Sequence, residues 1–249
     1  MPNHVTNVLT VTGDPERVEA FRTAHIRFSS DKESKEKWEH LDFQTVIPAP
    51  ACVEGTEASN TAEEGFFALT GLAKTSFARF DGAATRYFER YEKEGFEVNA
   101  LTQPEHLRAW LAKKHPEVLV SGQKMLTCFR ETGCMSWYDW NSKNWGTKWN
   151  SYSYKERSAE PGKFVCVFDT AWAPPVPIFA KLAELWPDLR IETQSIDEGG
   201  GAWAGSGGKI EKVEETRELH LVVYGTTEGI DPSDEDEEDE EEESAEAAN

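Results

Sequence analysis

Two β–α units, one near each end of the chain, constrain the fold more than any other feature of the sequence. Residues His4–Thr12 are rich in β-branched side chains and predict a strand. A helix follows, because Asp14 suits the N-cap and Pro15 suits the first helical turn. In the second unit, the nearly continuous apolar run Lys163–Asp169 predicts a buried strand, and a helix is expected at about 176–186. We therefore expect a sheet with helices packed on it.

The segments between and after these units complete the predicted order. Further strands are predicted at Leu41–Ile47, Leu189–Ile196, Lys209–Val213 and Glu218–Tyr224. The polar residues 27–40 predict a loop or a frayed helix. Residues 51–130 are rich in alanine, glutamate and spaced aromatic side chains and predict a helical insertion, in which Thr102-Gln-Pro-Glu105 matches a capping box. The fold class is therefore α+β and ferredoxin-like, with β–α–β repeated in a mainly antiparallel sheet that has helices on one face.

Charge separates the end of the sequence from the rest. Residues 231–249 hold twelve Asp and Glu and no Lys or Arg, whereas residues 1–230 hold 34 acidic and 26 basic side chains. The run 234–243 is wholly acidic, has no apolar side chain to bury and repels itself, so a disordered tail is predicted at 226–249. Two roles stay open for this tail: it keeps the protein solvated, or it attracts a basic partner.

The rest of the sequence divides into three predicted regions. They are 1–50 (amino-terminal β-α-β part), 51–130 (helical insertion) and 131–225 (carboxy-terminal ferredoxin-like part).

The sequence predicts no metal site and no cofactor. The four cysteines show no C-x-x-C spacing, and the six histidines are scattered. The glycine-rich stretch 198–208 precedes a strand instead of opening a helix, which argues against a dinucleotide fingerprint. No P-loop or G-x-S-x-G motif is present, so the sequence leans against an enzyme. The amino terminus lacks a secretory signal pattern, and we expect a soluble cytoplasmic protein.

The densest aromatic stretch lies between residues 137 and 150 and holds four of the nine tryptophans. Its spacing fits neither a strand face nor a regular helix, so we expect an irregular segment. Two interpretations stay open: the rings form part of the core, or some of them also form a platform for a base, a sugar or a partner side chain. We expect Trp145 and Trp149 to be the exposed rings. The candidate binding residues here are Trp137, Tyr138, Trp140, Asn144, Trp145, Thr147, Lys148, Trp149 and Asn150.

A second candidate position follows the predicted strand Lys163–Asp169. Asp169 and Trp172 lie at its carboxyl end, where ligands often bind in sheets with helical connections. The alternative is structural: Asp169 or Thr170 caps the following helix and Trp172 packs beneath it. Asp169 and Trp172 join the candidate binding residues, and no catalytic residue or metal ligand is assigned.

Several segments resemble a known family. They are residues 1–7, Ile47–Pro50, Tyr138–Asn150 with its Trp-Gly-Thr-Lys-Trp-Asn string, and Phe168–Pro175. In this order they resemble the YubB-like family of phage- and plasmid-borne proteins, over most of residues 1–225. The resemblance implies a mobile-element origin and a ferredoxin-like carboxy-terminal domain. It implies no reaction, and the acidic tail departs from the family pattern.

Three hypotheses about the function follow, each from a different functional class. The first is a mobile-element protein that binds a host protein, with inhibition of a bacterial defence system as one outcome. The second is a module that binds a nucleotide or single-stranded nucleic acid through the Trp-rich segment. The third is an enzyme whose site comes together only on folding, around Asp169 and the aromatic block. The acidity fits a basic or nucleic-acid-binding partner and disfavours direct binding to duplex DNA, because phosphate binding needs a positive surface. No membrane partner is predicted, and the oligomeric state stays open.

Overall fold

The chain forms two compact units in a computed structural model that describes residues 3–30, 37–71, 91–96 and 104–226. The sheet unit consists of residues 1–47 and 145–249, and the helical unit consists of Pro48–Asn144. The predicted insertion at 51–130 lies within the helical unit. The acidic residues of the predicted tail beyond Thr226 lie outside the described ranges, as does Thr102 of the predicted capping box.

The secondary structure elements are numbered in chain order. The strands are β1 (His4–Thr12), β2 (Ile26–Ser30), β3 (Lys37–Leu41), β4 (Tyr152–Glu160), β5 (Lys163–Ala171), β6 (Arg190–Asp197), β7 (Ala202–Ser206) and β8 (Lys209–Val213). The helices are α1 (Pro15–His25), α2 (Asn60–Thr70), α3 (Pro104–Lys114), α4 (Pro116–Thr132), α5 (Trp137–Asn144), α6 (Val176–Leu185) and α7 (Arg217–Tyr224). A short 3-10 helix covers Phe43–Thr45.

Six strands of the sheet unit form one antiparallel sheet in the order β4-β5-β1-β6-β7-β8, and β2 pairs with β3 separately. The first strand of the chain, β1, lies between β5 and β6. Because both neighbours run antiparallel to β1, they are parallel to each other, and α6 connects them across it. This split β–α–β arrangement in an antiparallel sheet confirms the predicted α+β class.

Each face of this sheet packs against helices, so the expectation that helices cover only one face is wrong. Successive side chains of β5 point to opposite faces, so Phe164 and Phe168 share one face and Val167 lies on the other. On the first face, Phe164 lies 6.2 Å from the ring of Phe21 in α1, and Phe168 lies 6.4 Å from the ring of Phe179 in α6. On the other face, Val167 belongs to an apolar cluster with side chains of α7. This helix comes from a segment predicted to be a strand.

Three local predictions are wrong. The described part of residues 27–40 forms β2 and β3 instead of a loop. The predicted strand Leu41–Ile47 turns into the 3-10 helix, because Asp42 accepts a hydrogen bond from the Gln44 amide at 3.0 Å. The predicted strand Glu218–Tyr224 is α7, which Thr216 caps by accepting a hydrogen bond from the Leu219 amide at 3.2 Å.

The described part of the helical unit confirms the helical prediction for this region. Tyr91 is fully buried, and it packs in a cluster with Leu107 and Leu111 of α3 and Val118 of α4. Its hydroxyl donates a hydrogen bond to the buried carboxylate of Glu64 in α2, which gives that charged group a partner. Among the described residues of the chain, no helix is long and apolar enough to cross a membrane.

A buried histidine makes the stability of the sheet unit pH-dependent. His25 Nε2 accepts a hydrogen bond from the indole of Trp186 at 2.8 Å, so the ring is neutral, and Nδ1 lies 2.8 Å from Thr45 Oγ1. Burial lowers the pKa of His25 from 6.5 to about 4. The unfolded chain therefore binds a proton that the folded chain excludes. As the pH falls from about 6.5 to about 4, we expect this residue alone to lower the free energy of unfolding by up to about 3 kcal/mol.

Urea unfolding of His25→Gln at several pH values measures this effect. The variant should lose stability less steeply than the parent over that range, whereas His106→Gln, at an exposed position of the helical unit, should follow the parent. Equal pH dependence of parent and His25→Gln would contradict the assignment.

Candidate functional site

The Trp-rich segment is divided between the two units. Its first part forms helix α5 in the helical unit, which corrects the expectation of an irregular segment. The Trp137 amide at the start of α5 donates to Thr56 Oγ1 at 2.8 Å. Its second part, from Trp145 onward, belongs to the sheet unit. One run in the sequence therefore contributes to two separate cores.

Four candidate residues lie in α5. Trp140 is buried, and its carbonyl accepts a hydrogen bond from Asn144 Nδ2 at 2.8 Å. Trp137 and Tyr138 are half-buried, with their rings edge to face at 6.0 Å. These contacts serve the packing of the helical unit, as the core interpretation of this segment expects.

Trp145 faces the interior of the sheet unit, so the expectation that it is exposed is wrong. Its indole Nε1 donates to the Ile47 carbonyl at 2.9 Å. Its ring meets that of Phe43 edge to face, with centroids 5.8 Å apart. A buried indole needs a partner for its N–H, and the Ile47 carbonyl provides one.

Thr147 and Asn150 fasten the segment to its surroundings. The Thr147 hydroxyl accepts from the Ala171 amide at 3.0 Å and donates to the Ala171 carbonyl at 2.8 Å, which ties it to the end of β5. Asn150 Oδ1 accepts from the amides of Phe43 at 2.9 Å and Ser151 at 3.0 Å, and its Nδ2 donates to Asp42 at 2.7 Å. These bonds hold the backbone on both sides of Lys148 and Trp149 in place.

Lys148, Trp149 and Trp172 come together on the surface of the sheet unit. Trp149 and Trp172, which we call the indole pair, are 38% and 43% exposed. The Lys148 Nζ atom lies over both rings, 4.6 Å from the centroid of Trp149 and 5.0 Å from that of Trp172. Both distances are within the range of cation–π attraction. Three candidates that are distant in the sequence thus form one surface feature.

The backbone at Trp172 adopts the left-handed conformation, with φ +74°. Bulky side chains rarely adopt this conformation, which costs roughly 1–2 kcal/mol. The structural interpretation of this turn is wrong on two points: Trp172 is exposed, and α6 begins after Pro175 without a side-chain cap. Thr170 donates to the Ala173 carbonyl at 2.9 Å instead, and Asp169 Oδ1 accepts from Thr6 Oγ1 at 2.9 Å.

An open groove of about 390 Å³ borders Trp149. Its lining residues are Ser29, Trp38, His40, Trp149, Asn150, Ser151 and Tyr152. Trp38 is 46% exposed, and the buried imidazole of His40 has a pKa lowered by burial. The Tyr152 hydroxyl lies 2.7 Å from His4 Nδ1, and burial raises the pKa of Tyr152 to about 12. At neutral pH the groove therefore presents aromatic rings and uncharged polar groups.

The sequence analysis did not select Trp38, His40, Tyr152 or His4. Trp38 and His40 belong to residues 27–40, for which a loop or frayed helix was expected, and no local pattern distinguishes them. The pairing of β2 with β3 places Ser29 opposite Trp38 and gives this wall of the groove its shape. Among the residues that the structure describes, no group of three or more His, Cys, Asp or Glu side chains could hold a metal ion.

A match to a family model supports the fold. Residues 145–248 match the family model described as the ferredoxin-like domain in Api92-like protein. The predicted ferredoxin-like fold is thereby confirmed, and β1, from outside the matched residues, completes its sheet. The crystal structure of a protein Api92 from Yersinia pseudotuberculosis is similar, with 12% identity and a TM-score of 0.37 over 87% of this chain and 99% of that chain. No curated protein matches the sequence. The family match supports the ferredoxin-like part of the predicted resemblance. The YubB-like assignment and the mobile-element origin stay predictions.

Proposed function

We propose that this chain is a binding protein whose sheet unit docks a partner protein through Lys148, the indole pair and the groove beside Trp38. The observation that carries the proposal is the pair of half-exposed indoles held in place from behind. Trp145, Thr147 and Asn150 fix the segment that carries Trp149, through hydrogen bonds to the surrounding backbone. An exposed aromatic side chain on such a support loses little freedom on binding.

Tryptophan is the residue type expected at the centre of a protein interface. It is among the residues most enriched at positions where truncation weakens binding by 2 kcal/mol or more. The surface also combines indoles with a cation and with neutral polar groups in the groove, which is the mixture of apolar centre and polar rim that protein interfaces show.

The charge of the chain indicates a basic partner. The formal net charge is -20, and such a field attracts basic proteins and speeds their association at low ionic strength. The resemblance to phage- and plasmid-borne proteins suggests a host protein in the bacterial cytoplasm, and inhibition of a defence system is the outcome we propose for that binding.

Affinity capture with the purified full chain tests the proposal. We expect a stoichiometric host protein that, once purified, binds the parent protein and binds the double variant Trp149→Ala, Trp172→Gly at least about 30-fold more weakly. Glycine is chosen at 172 because it accepts the positive φ. Phe28→Ala is the matched control, since Phe28 is 73% exposed on β2 and does not line the groove. Equal binding by the double variant, or no partner at several salt concentrations, would refute the proposal.

A nucleotide or single-stranded nucleic acid is the second candidate ligand, favoured by the same exposed rings beside Lys148. Bases stack on exposed indoles, and phosphates bind lysine most strongly at low salt. Quenching of tryptophan fluorescence by oligonucleotides at low salt, lost in Trp149→Ala, would support this candidate over a protein partner.

A further inference from the structure

The position of Lys148 indicates what kind of chemical group the indole pair binds. Its ammonium group lies over the faces of both rings, at 4.6 and 5.0 Å from their centroids. We propose that the indole pair is a cation site for an arginine guanidinium group of the partner protein, and that Lys148 occupies this site in the free protein. This inference rests on the proposed function and names the group that the surface recognises.

The geometry of the two rings supports a cation site. An indole attracts cations at its face because the face carries the negative part of the ring quadrupole. One nitrogen atom can lie over both faces only if the two faces are directed to a common point. The chain places Trp149 and Trp172 on different segments, so this common point is a product of the fold.

The backbone of Trp172 is a second, independent indication. Its φ of +74° is unfavourable for a bulky residue, and the chain keeps this conformation at a tryptophan that is 43% exposed. Two bonds hold the conformation: the Trp172 amide donates to the Asn3 carbonyl at 2.9 Å, and the preceding Ala171 pairs with Thr147. Strained backbone that is retained at an exposed side chain is characteristic of binding sites.

The surroundings of Trp172 favour a positive ligand over a negative one. Asn3, which accepts the Trp172 amide hydrogen, also donates from its side chain to Asp197 at 3.4 Å. The next residue, His4, donates its amide to the Glu198 carboxylate at 2.9 Å. Two carboxylates therefore lie next to the backbone that holds Trp172. An anionic ligand would meet these charges as well as the net charge of the chain.

Arginine is the cation that best fits two indole faces. Its guanidinium group is planar and weakly hydrated, and it stacks on aromatic rings in a way that a lysine ammonium cannot. Lys148 has a long, flexible side chain whose ammonium can move into solvent when a guanidinium group enters. Exchange of one cation for another preserves the attraction to both rings, so the bound state resembles the free one.

Titration of the full-length protein with a short acetylated and amidated Gly-Arg-Gly peptide tests the proposal. The indole N–H signals of Trp149 and Trp172, assigned by NMR through the single variants, report on the site. We expect Lys148→Met to bind the peptide at least about threefold more tightly than the parent, because the competing cation is gone. Lys155→Met removes the same charge from an exposed position of β4 and should leave the affinity within error of the parent value.

Trp172→Gly and Trp149→Ala should each remove the response of the remaining indole, in proteins whose NMR spectra otherwise match the parent. Weaker or unchanged binding in Lys148→Met, preference for a Gly-Glu-Gly peptide, or no response to the arginine peptide would each overturn the cation site. The outcome is distinct from that of affinity capture: a captured partner whose binding is insensitive to Lys148→Met leaves the docking proposal standing and removes this one. An arginine response without any captured partner keeps the cation site and refutes the docking proposal.

Discussion

Replacement of Gly122 by valine should unfold the helical unit, because α4 and α2 are in backbone contact at this residue. A Cβ atom on Gly122 would lie 2.2 Å from the carbonyl carbon of Gly65 and 2.5 Å from the amide nitrogen of Phe66. A Cβ atom on Gly65 would lie 2.0 Å from the Val118 carbonyl oxygen. The obstructing atoms are backbone atoms, so no change of side-chain conformation relieves the contact. The two helices would have to separate.

The expected cost exceeds that of ordinary overpacking. Extra methylene groups in a packed core cost about 1–3 kcal/mol, and here whole helices must move, so we expect a loss of about 4 kcal/mol or more. Urea unfolding followed by circular dichroism at 222 nm measures it. The control is Gln123→Val, which introduces the same β-branched residue at the next, exposed position of α4 and should cost less than about 1 kcal/mol. Similar stability of the two variants would show that the helices do not need this contact.

Replacement of Asn7 by aspartate should disrupt the sheet unit to a similar extent. Asn7 lies fully buried on β1, and its Oδ1 accepts from Ser195 Oγ of β6 at 2.8 Å. Its Nδ2 lies 2.9 Å from Thr170 Oγ1 and 3.3 Å from the Phe168 carbonyl, both of β5. One amide thus joins the two strands on either side of β1. A carboxylate in its place would replace the Nδ2 donor with a second acceptor oxygen, facing the oxygen atoms of Thr170 and Phe168. It would also bury an unpaired charge.

We expect Asn7→Asp to lower the free energy of unfolding by about 4 kcal/mol at pH 7, since an unpaired buried charge is among the most costly changes in a core. Protonation of the introduced carboxyl removes that charge, so the deficit relative to the parent should shrink as the pH falls. Denaturant unfolding at pH 7 and pH 4 checks both statements. Gln194→Glu adds the same charge on the opposite face of β6 and should cost less than about 1 kcal/mol. A small, pH-independent effect of Asn7→Asp would contradict this account.

Sequence patterns predicted the elements whose signals are local and redundant. The strand at His4–Thr12 is found with its predicted bounds, and Asp14 caps α1 by accepting hydrogen bonds from the Glu16 and Arg17 amides at 3.0 and 3.2 Å. The strand β5 and the helix α6 likewise follow their predicted segments closely. In each, side-chain type, spacing and end signals agree, so one local structure is favoured over its competitors.

The elements that were predicted wrongly are short, and their patterns are ambiguous. In Glu218–Tyr224 the alternation of polar and apolar residues fits a strand as well as a helix. Two contacts select the helix: Leu219 and Val223, four residues apart, pack together against Val8 of β1, and Arg157 of β4 donates to the last carbonyls of the helix. Neither Val8 nor Arg157 is near this segment in the sequence, so no local pattern could reveal them.

The candidate site was likewise predicted in part from the sequence and decided in part by contacts between distant segments. The density of tryptophan and the neighbouring Lys148 made the 137–150 segment a candidate from the sequence, and Trp172 was included for its place after a strand. Which rings are exposed was not determined there: Trp145 was expected outside and is buried, with its N–H on the Ile47 carbonyl.

By itself, the sequence determined the α+β class, the strands and helices with strong local signals, and the identity of the aromatic residues available for binding. The tertiary structure decided the rest: the position of β1 between β5 and β6, the helix α7, and the meeting of Lys148 with Trp149 and Trp172. The physical reason is that hydrophobic periodicity and end signals act over a few residues. The exposure of one indole depends instead on hydrogen bonds and ring contacts between segments that are distant in the sequence.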